Sequence, residues 1–427
     1  MTEQMYNNYF NYMGKKLIAG SDRVNKATFE RTFKDNYNII TRKCLNMTYS
    51  FTNFKKLNKN GRVVYVPTIR DRIVLEHLKN CLVQKYKLKT QNRNHIIDEL
   101  KILCEEKMHY YIIRTDIDSF FSKINHEKLL DKLLKSSLLN INQINLIKNL
   151  LKKMPNVGIP QGIGISNYLA ELYLENFDFE IKSISPRVFY YSRYVDDIIL
   201  IIPGKINKLE KNVFQNKLED IFKKYDLEIN KKKTKYLDFT KENSNSFDYL
   251  GYSFQRVDNK LIMEIADYKI HKLKVQIDNI FDNYTKTLNY NLLFERLKLF
   301  TSVNQINKNI DYFTREGQVF FRRKTIRYGI NVDYKYASYQ SIDRINNYIK
   351  YKIIHASISR EEKNNLYKIL IQYNDMKFRL IVYEKISIKS LRSMVYRITT
   401  HLTWRNILKL NKNQLLLEYF NILNINC

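Results

Sequence analysis

The sequence predicts a mixed α/β first half followed by a mostly α-helical second half, and three observations carry that reading. Short runs rich in β-branched and aromatic residues, Arg62-Val-Val-Tyr-Val66, Tyr110-Tyr-Ile-Ile113 and Ile198-Ile-Leu-Ile-Ile202, alternate with helical patterns, as they do where strands and helices share a domain. All five prolines lie in the first half and eight of the ten glycines at or before Gly251, so the residues that punctuate turns are concentrated there. From about residue 265 the chain reads as mostly helix, with Ile342, Ile345, Ile349 and Ile353 on one apolar stripe.

Individual elements follow from the same patterns. In residues 206–225, Phe214, Leu218, Ile221, Phe222 and Tyr225 recur at three- and four-residue intervals among Lys, Glu and Asp, which predicts an amphipathic helix. Another helix is expected to begin near Asn125, with Glu127 in its first turn. No fixed-period repeat or low-complexity linker interrupts the chain.

A chain of 427 residues that is 44% hydrophobic can bury a sizeable core and divide into two or three domains. Its 73 Lys and Arg against 43 Asp and Glu leave a formal charge of +30, and such an excess usually meets a polyanion, nucleic acid first. A composition heavy in Lys, Asn, Ile and Tyr also suits an AT-rich genome, which raises lysine without functional demand. Cys44, Cys81, Cys104 and Cys427 have no CxxC spacing and no His partners at ligand distance, so neither a zinc site nor a disulfide framework is implied. The N-terminus lacks a signal-peptide pattern and no stretch of about 18 apolar residues occurs. These features read as a cytoplasmic protein with no membrane partner.

The sharpest local signal is Tyr190-Tyr-Ser-Arg-Tyr-Val-Asp-Asp-Ile-Ile-Leu-Ile-Ile202, two apolar strands with adjacent acids between them. It reads as a hairpin with Asp196 and Asp197 at its tip, where Asp tolerates unusual dihedrals. Alone, it could equally be a solvated Asp-Asp turn. A second acid, Asp116, ends the apolar run His109-Tyr-Tyr-Ile-Ile-Arg-Thr-Asp116. Carboxylates on neighbouring strand ends would give the hard oxygen ligands that Mg²⁺ requires, and two ions about 3.5–4 Å apart can drive phosphoryl transfer. The third element is Gly158-Ile-Pro-Gln-Gly-Ile-Gly-Ile-Ser-Asn167, which leads into an apolar helical run. Its glycines allow close backbone approach and Gln161 offers both donor and acceptor, although ordinary punctuation would look the same.

In order and content these segments resemble the reverse transcriptases over roughly residues 25–255. Asp116 with Phe121 is similar to the family's first catalytic motif, which implies that Asp116 binds metal and Phe121 screens out the ribonucleotide 2′-hydroxyl. Gln161-Gly162 with Ser166 resembles the motif beneath the incoming nucleotide and template base. Tyr194-Val195-Asp196-Asp197 is similar to the YxDD signature, with Tyr194 and Val195 beside the primer terminus. Leu227-Glu-Ile-Asn-Lys-Lys-Lys-Thr234 resembles the motif in which Asn230 and Lys233 support the palm, the lysine as a proton donor to pyrophosphate. Phe247-Asp-Tyr-Leu-Gly-Tyr-Ser-Phe254 resembles the primer grip, and Lys59-Asn-Gly-Arg62 belongs to a segment like the fingers hairpin, where Arg62 and Lys59 would clamp the triphosphate. Asp118 is not required by the motif and reads as an outer or surface residue.

The resemblance implies a right-hand polymerase fold of α/β (α+β) class, with an antiparallel palm sheet. Fingers and palm would occupy residues 1–255, a thumb-like helical region 256–340 and a helical C-terminal extension 341–427. Expected catalytic and metal residues are Asp116, Asp196 and Asp197. They would hold two Mg²⁺ ions, with Mn²⁺ as a substitute. Expected partners are an RNA template, the DNA product and dNTPs, with a dedicated noncoding RNA or accessory protein as further candidates. A single reverse transcriptase with a helical extension is most similar to the bacterial abortive-infection and defence-associated group, which implies an antiphage role. Open alternatives are a retron-type or group II intron-derived enzyme, a template-independent DNA polymerase, and a non-catalytic RNA-binding scaffold. Phe320-Phe-Arg-Arg-Lys-Thr-Ile-Arg327 mixes aromatic and basic residues in a way that suits nucleic acid or a solvated basic helix.

Overall fold

The apolar runs of the first half become the strands of antiparallel sheets. The computed structural model describes residues 20–423 apart from 25, 60, 89–90, 240–245, 259, 316–317 and 373–378, together with Glu3 and Tyr6. The chain divides into two compact units, Met1–Asn245 and Ser246–Cys427.

In the first unit, β1 (Lys55–Lys59) and β2 (Arg62–Val66) form a two-stranded hairpin. A four-stranded sheet follows, built from β3 (Tyr110–Asp116), β4 (Tyr190–Tyr194), β5 (Asp197–Pro203) and β6 (Lys235–Phe239) in the order β4-β5-β3-β6. All its pairings are antiparallel. Ile198 to Ile202 are buried without a break, because the central strands are covered on both faces and so lose the apolar–polar alternation of a half-exposed strand. Both expected helices form. Lys208–Lys224 starts with a capping box between Asn207 and Glu210 and buries Phe214, Leu218 and Phe222. His126–Ser136 begins after Asn125, whose side chain accepts from the amides of Glu127 and Lys128.

The second unit opens with a meander of β7 (Ser246–Tyr249), β8 (Tyr252–Val257) and β9 (Lys260–Ile265). Its first turn holds Leu250 at φ +47° and Gly251 at φ +89°, the two positive values of a type I′ hairpin turn. This meander starts ten residues before residue 256, where the second region was expected to begin. Helices Asp267–Thr287 and Tyr290–Thr301 follow. The mostly helical expectation then meets an exception: Val303–Arg315 (β10) and Gln318–Tyr328 (β11) form a long antiparallel hairpin with a register shift between Asn309 and Asp311. Phe320–Arg327 therefore lies on a strand rather than a helix. The later strand β12 (Leu380–Val382) pairs in parallel with the first residues of β10. The helix Tyr339–His355 buries Ile342, Ile345, Ile349 and Ile353 as the stripe predicts. Helices Ile388–Ile398, Trp404–Leu408 and Lys412–Leu423 enclose a core that includes Tyr383, Leu391, Ile407 and Tyr419.

Candidate active site

Three carboxylates meet where β3 ends and β5 begins. Asp116 and Asp197 are directly paired across these strands, and Tyr194 pairs with Asp197 across β4 and β5, leaving Val195 and Asp196 as a two-residue loop. Val195 sits at φ +61°, a conformation that β-branched residues rarely adopt. The Asp196 carbonyl accepts from the Ile117 amide at 3.0 Å, which ties the loop to the chain just beyond Asp116.

The electrostatics follow from this crowding. Asp116 is 5% exposed. Its Oδ2 accepts from Lys233 Nζ at 2.7 Å and from Asn230 Nδ2 at 3.3 Å, and its carbonyl from the Asn230 amide at 2.9 Å. Burial first, and the Asp116 charge second, push the Asp196 carboxyl up to about 6. Burial also raises Asp197, partly opposed by Arg114, whose Nη2 lies 3.3 Å from Asp197 Oδ1. The hydrogen bond to Asp116 raises the Lys233 ammonium. Thus the loop Leu227–Thr234 and β3 supply cations to an acidic centre. Among the described residues no three His, Cys, Asp or Glu side chains form a ready-made metal cage. The donor set nonetheless suits a hard divalent cation, since carboxylates crowded together at two strand ends favour a shared counter-ion.

The nucleotide-side candidates gather around the loop at 158–162. The Ile159 amide donates to the Phe121 carbonyl at 2.7 Å, the Gly158 amide to the Ile124 carbonyl at 2.8 Å, and His126 Nε2 lies 2.6 Å from the Gly158 carbonyl. Half-buried Phe121 thus stands beside this loop. From the other side, the Tyr65 amide donates to the Gln161 carbonyl at 2.9 Å. Gly162 adopts φ +89°, and a Cβ there would collide with Val64 Cγ1. Both facts require glycine. An isolated two-stranded hairpin is marginal in water, so this contact steadies β1–β2. Lys59 and Arg62 are paired at its exposed end. Ser166 is buried, its hydroxyl donating to the Pro160 carbonyl at 2.6 Å, which makes it a brace for the loop. Asp118 lies off the acidic centre, 3.0 Å from Lys123 Nζ, which also meets Glu228 at 2.8 Å.

Two residues went unnoticed in the sequence. Arg114 reads as one polar residue in an apolar strand, and Arg193 as one among tyrosines. Arg193 is 2% exposed and bound to Glu171 and Asp178. Burial alone would lower its pKa, but the two carboxylates hold it above the usual arginine value. The signal available was an arginine three residues before a paired acid, with acids on the preceding helices.

Comparison with known proteins agrees with this geometry over its own span. Residues 54–254 match the family model for reverse transcriptase (RNA-dependent DNA polymerase). No curated protein matches the sequence. Similar solved structures include apo telomerase from Candida tropicalis truncated from its C-terminal domain, at 17% identity and TM-score 0.35, covering 49% of this chain. This chain spans 54% of that one. Telomerase from Candida albicans in complex with a TWJ fragment of telomeric RNA matches at 12% identity and TM-score 0.40, over 91% of this chain and 69% of the other. Apo telomerase from C. tropicalis matches at 12% identity and TM-score 0.37, over 86% and 68%. Scores this low carry no functional weight; the family match and the strand-end acids do. Residues 54–254, just under half of the chain, are therefore similar to a reverse transcriptase (RNA-dependent DNA polymerase) domain.

Proposed function

We propose that the whole protein copies an RNA template into DNA, adding dNTPs at a centre formed by Asp116, Asp196 and Asp197. The observation that carries this reading is the direct pairing of Asp116 with Asp197 beside the Val195–Asp196 loop, on strands rigidly buried behind it. These acids would hold two divalent cations, Mg²⁺ or Mn²⁺, which when bound lower the pKa of a primer 3′-hydroxyl and offset charge on the leaving pyrophosphate.

The protein's own groups do the remaining work. Arg62 and Lys59 neutralise the outer triphosphate oxygens, with the Arg62 fork offering paired donors. Phe121 fills the space a 2′-hydroxyl would need. Gln161 and Gly162 lie under the nucleotide and its template base, and Tyr194 packs beside the primer end. Lys233 balances Asp116 before turnover and can donate a proton to the departing pyrophosphate. Basic residues elsewhere track the phosphates of an A-form hybrid, so affinity falls steeply with salt.

The biological setting is proposed from sequence resemblance: a cytoplasmic bacterial enzyme of the abortive-infection and defence-associated kind, acting against phage with a noncoding RNA or accessory protein. No described helix is long and apolar enough to cross a membrane. The test is incorporation of labelled dNTPs by purified protein with Mg²⁺ on a primed RNA template, without template, and with Asp196→Ala, Asp197→Ala. Template-dependent DNA that vanishes in the variant supports the reading. Equal product from the variant overturns it. Plaque counts on cells carrying either form test the antiphage role, which fails if protection survives the double substitution.

A further inference from the structure

Arg193 has five N–H groups, and each has a partner. Nε and Nη2 donate to the two oxygens of Asp178 at 2.6 and 2.9 Å, and Nη1 and Nη2 to those of Glu171 at 3.2 and 2.7 Å. The fifth N–H, on Nη1, reaches forward to the Val195 carbonyl at 2.9 Å. Glu171 lies on the helix Gly164–Tyr173 and Asp178 on the helix Phe177–Lys182, where it also accepts from the Tyr191 hydroxyl at 2.6 Å. Two carboxylates on separate helices therefore fix the guanidinium in place, and it cannot follow the loop if the loop moves.

We propose that Arg193 is a positioning residue that holds the Val195–Asp196 loop in its strained conformation, and through it the placing of Asp196 and Asp197. This rests on the polymerase reading above. A loop of two residues forces a positive φ on Val195, and a valine there favours release into a looser turn. The charged hydrogen bond to the Val195 carbonyl opposes that release. Only a planar fork can engage both acids and still leave one N–H for the carbonyl, and lysine, with a single point of charge, cannot. Glu171 extends the link, because its helix begins at the end of the Gln161–Gly162 loop. The nucleotide-side loop and the acid turn thus share one anchor. A residue that only joined the two helices would have no need to reach Val195.

The test is a cycle of Arg193→Lys with Val195→Gly, which removes the penalty on positive φ. On the natural loop, R193K lowers kcat for dNTP addition roughly 10–100-fold, with KM for dNTP changed by less than about threefold. On the glycine loop the same substitution costs less than about threefold, while its effect on Tm is equal in both backgrounds. Equal kcat losses in both backgrounds overturn the proposal. Hydrogen exchange of the protein alone gives a second readout that needs no turnover. In R193K, exchange rises roughly tenfold across 194–198 and stays unchanged in β3; an increase spread evenly over the sheet overturns the proposal. If the natural protein makes no DNA, the polymerase reading fails, and the exchange experiment still decides the role of Arg193.

Discussion

Asp116 and Asp197 face each other across β3 and β5, and each has its own cation, Lys233 at 2.7 Å and Arg114 at 3.3 Å. Like charges directly opposite on a sheet are destabilising, so the two cations make the pairing tolerable. Among the described residues no such ion pair forms with Asp196, whose carboxyl is pushed up to about 6 by burial and by Asp116.

Asp196→Asn should therefore stabilise the metal-free protein while ending DNA synthesis. An acid with a raised folded-state pKa is penalised when ionised, so at neutral pH the amide removes an unfavourable charge. Solvent screens part of the effect, leaving about 1 kcal/mol, or roughly 1–2 °C in Tm. Thermal melts in chelator check this, and a lowered Tm would contradict it.

Lys233→Ala should affect rate far more than stability. The lysine is 54% exposed but balances the buried Asp116, so its loss should cost about 1 kcal/mol. Removing the partner of Asp116 and a candidate proton donor should slow nucleotide addition by about 100-fold. Paired melts and single-turnover kinetics test the split, and full activity would exclude both roles.

Gly162→Ala should push the β1–β2 hairpin off the Gln161 loop, because the new methyl group meets Val64 and the backbone keeps φ +89°. Together these should cost roughly 1–3 kcal/mol and raise KM for dNTP, since Arg62 and Lys59 travel with the hairpin. Adding Val64→Ala relieves the collision but not the dihedral, so partial recovery is expected. Full recovery would mean that the dihedral is unimportant.

His77, on the helix Ile69–Tyr86, has its pKa lowered to about 4 by burial. Between about pH 6.5 and 4 the unfolded chain binds a proton that the folded chain does not, so stability falls as pH falls through that window. Above it, His77 has no effect. His77→Gln should flatten this part of the stability curve while leaving the value at pH 8 little changed. Melts at pH 5 and pH 8 test it.

The strand-end acids were legible in the sequence because each stands at the edge of an apolar run, and Asn125 marked the start of its helix by local chemistry alone. What escaped was non-local. Arg193 finds Asp178 and Glu171 through packing of β4 against two helices, which no spacing reveals. The β10–β11 hairpin escaped for a different reason: Val303, Ile306, Ile310 and Phe313 are spaced three and four apart as on a helix. The register shift between Asn309 and Asp311 absorbs one residue and lets the same sequence run as a strand.

That hairpin also imposes an order on synthesis. β10 is complete at Arg315, but its parallel neighbour β12 begins only at Leu380. At about 5–20 residues per second, a ribosome needs several seconds to deliver the closing strand. During that interval the base of β10, from Val303 to Gln305, is an unpaired edge on a nascent chain, open to any passing strand. Chain ends created before residue 380 would make the exposure permanent, so truncated products of this gene should aggregate through that edge.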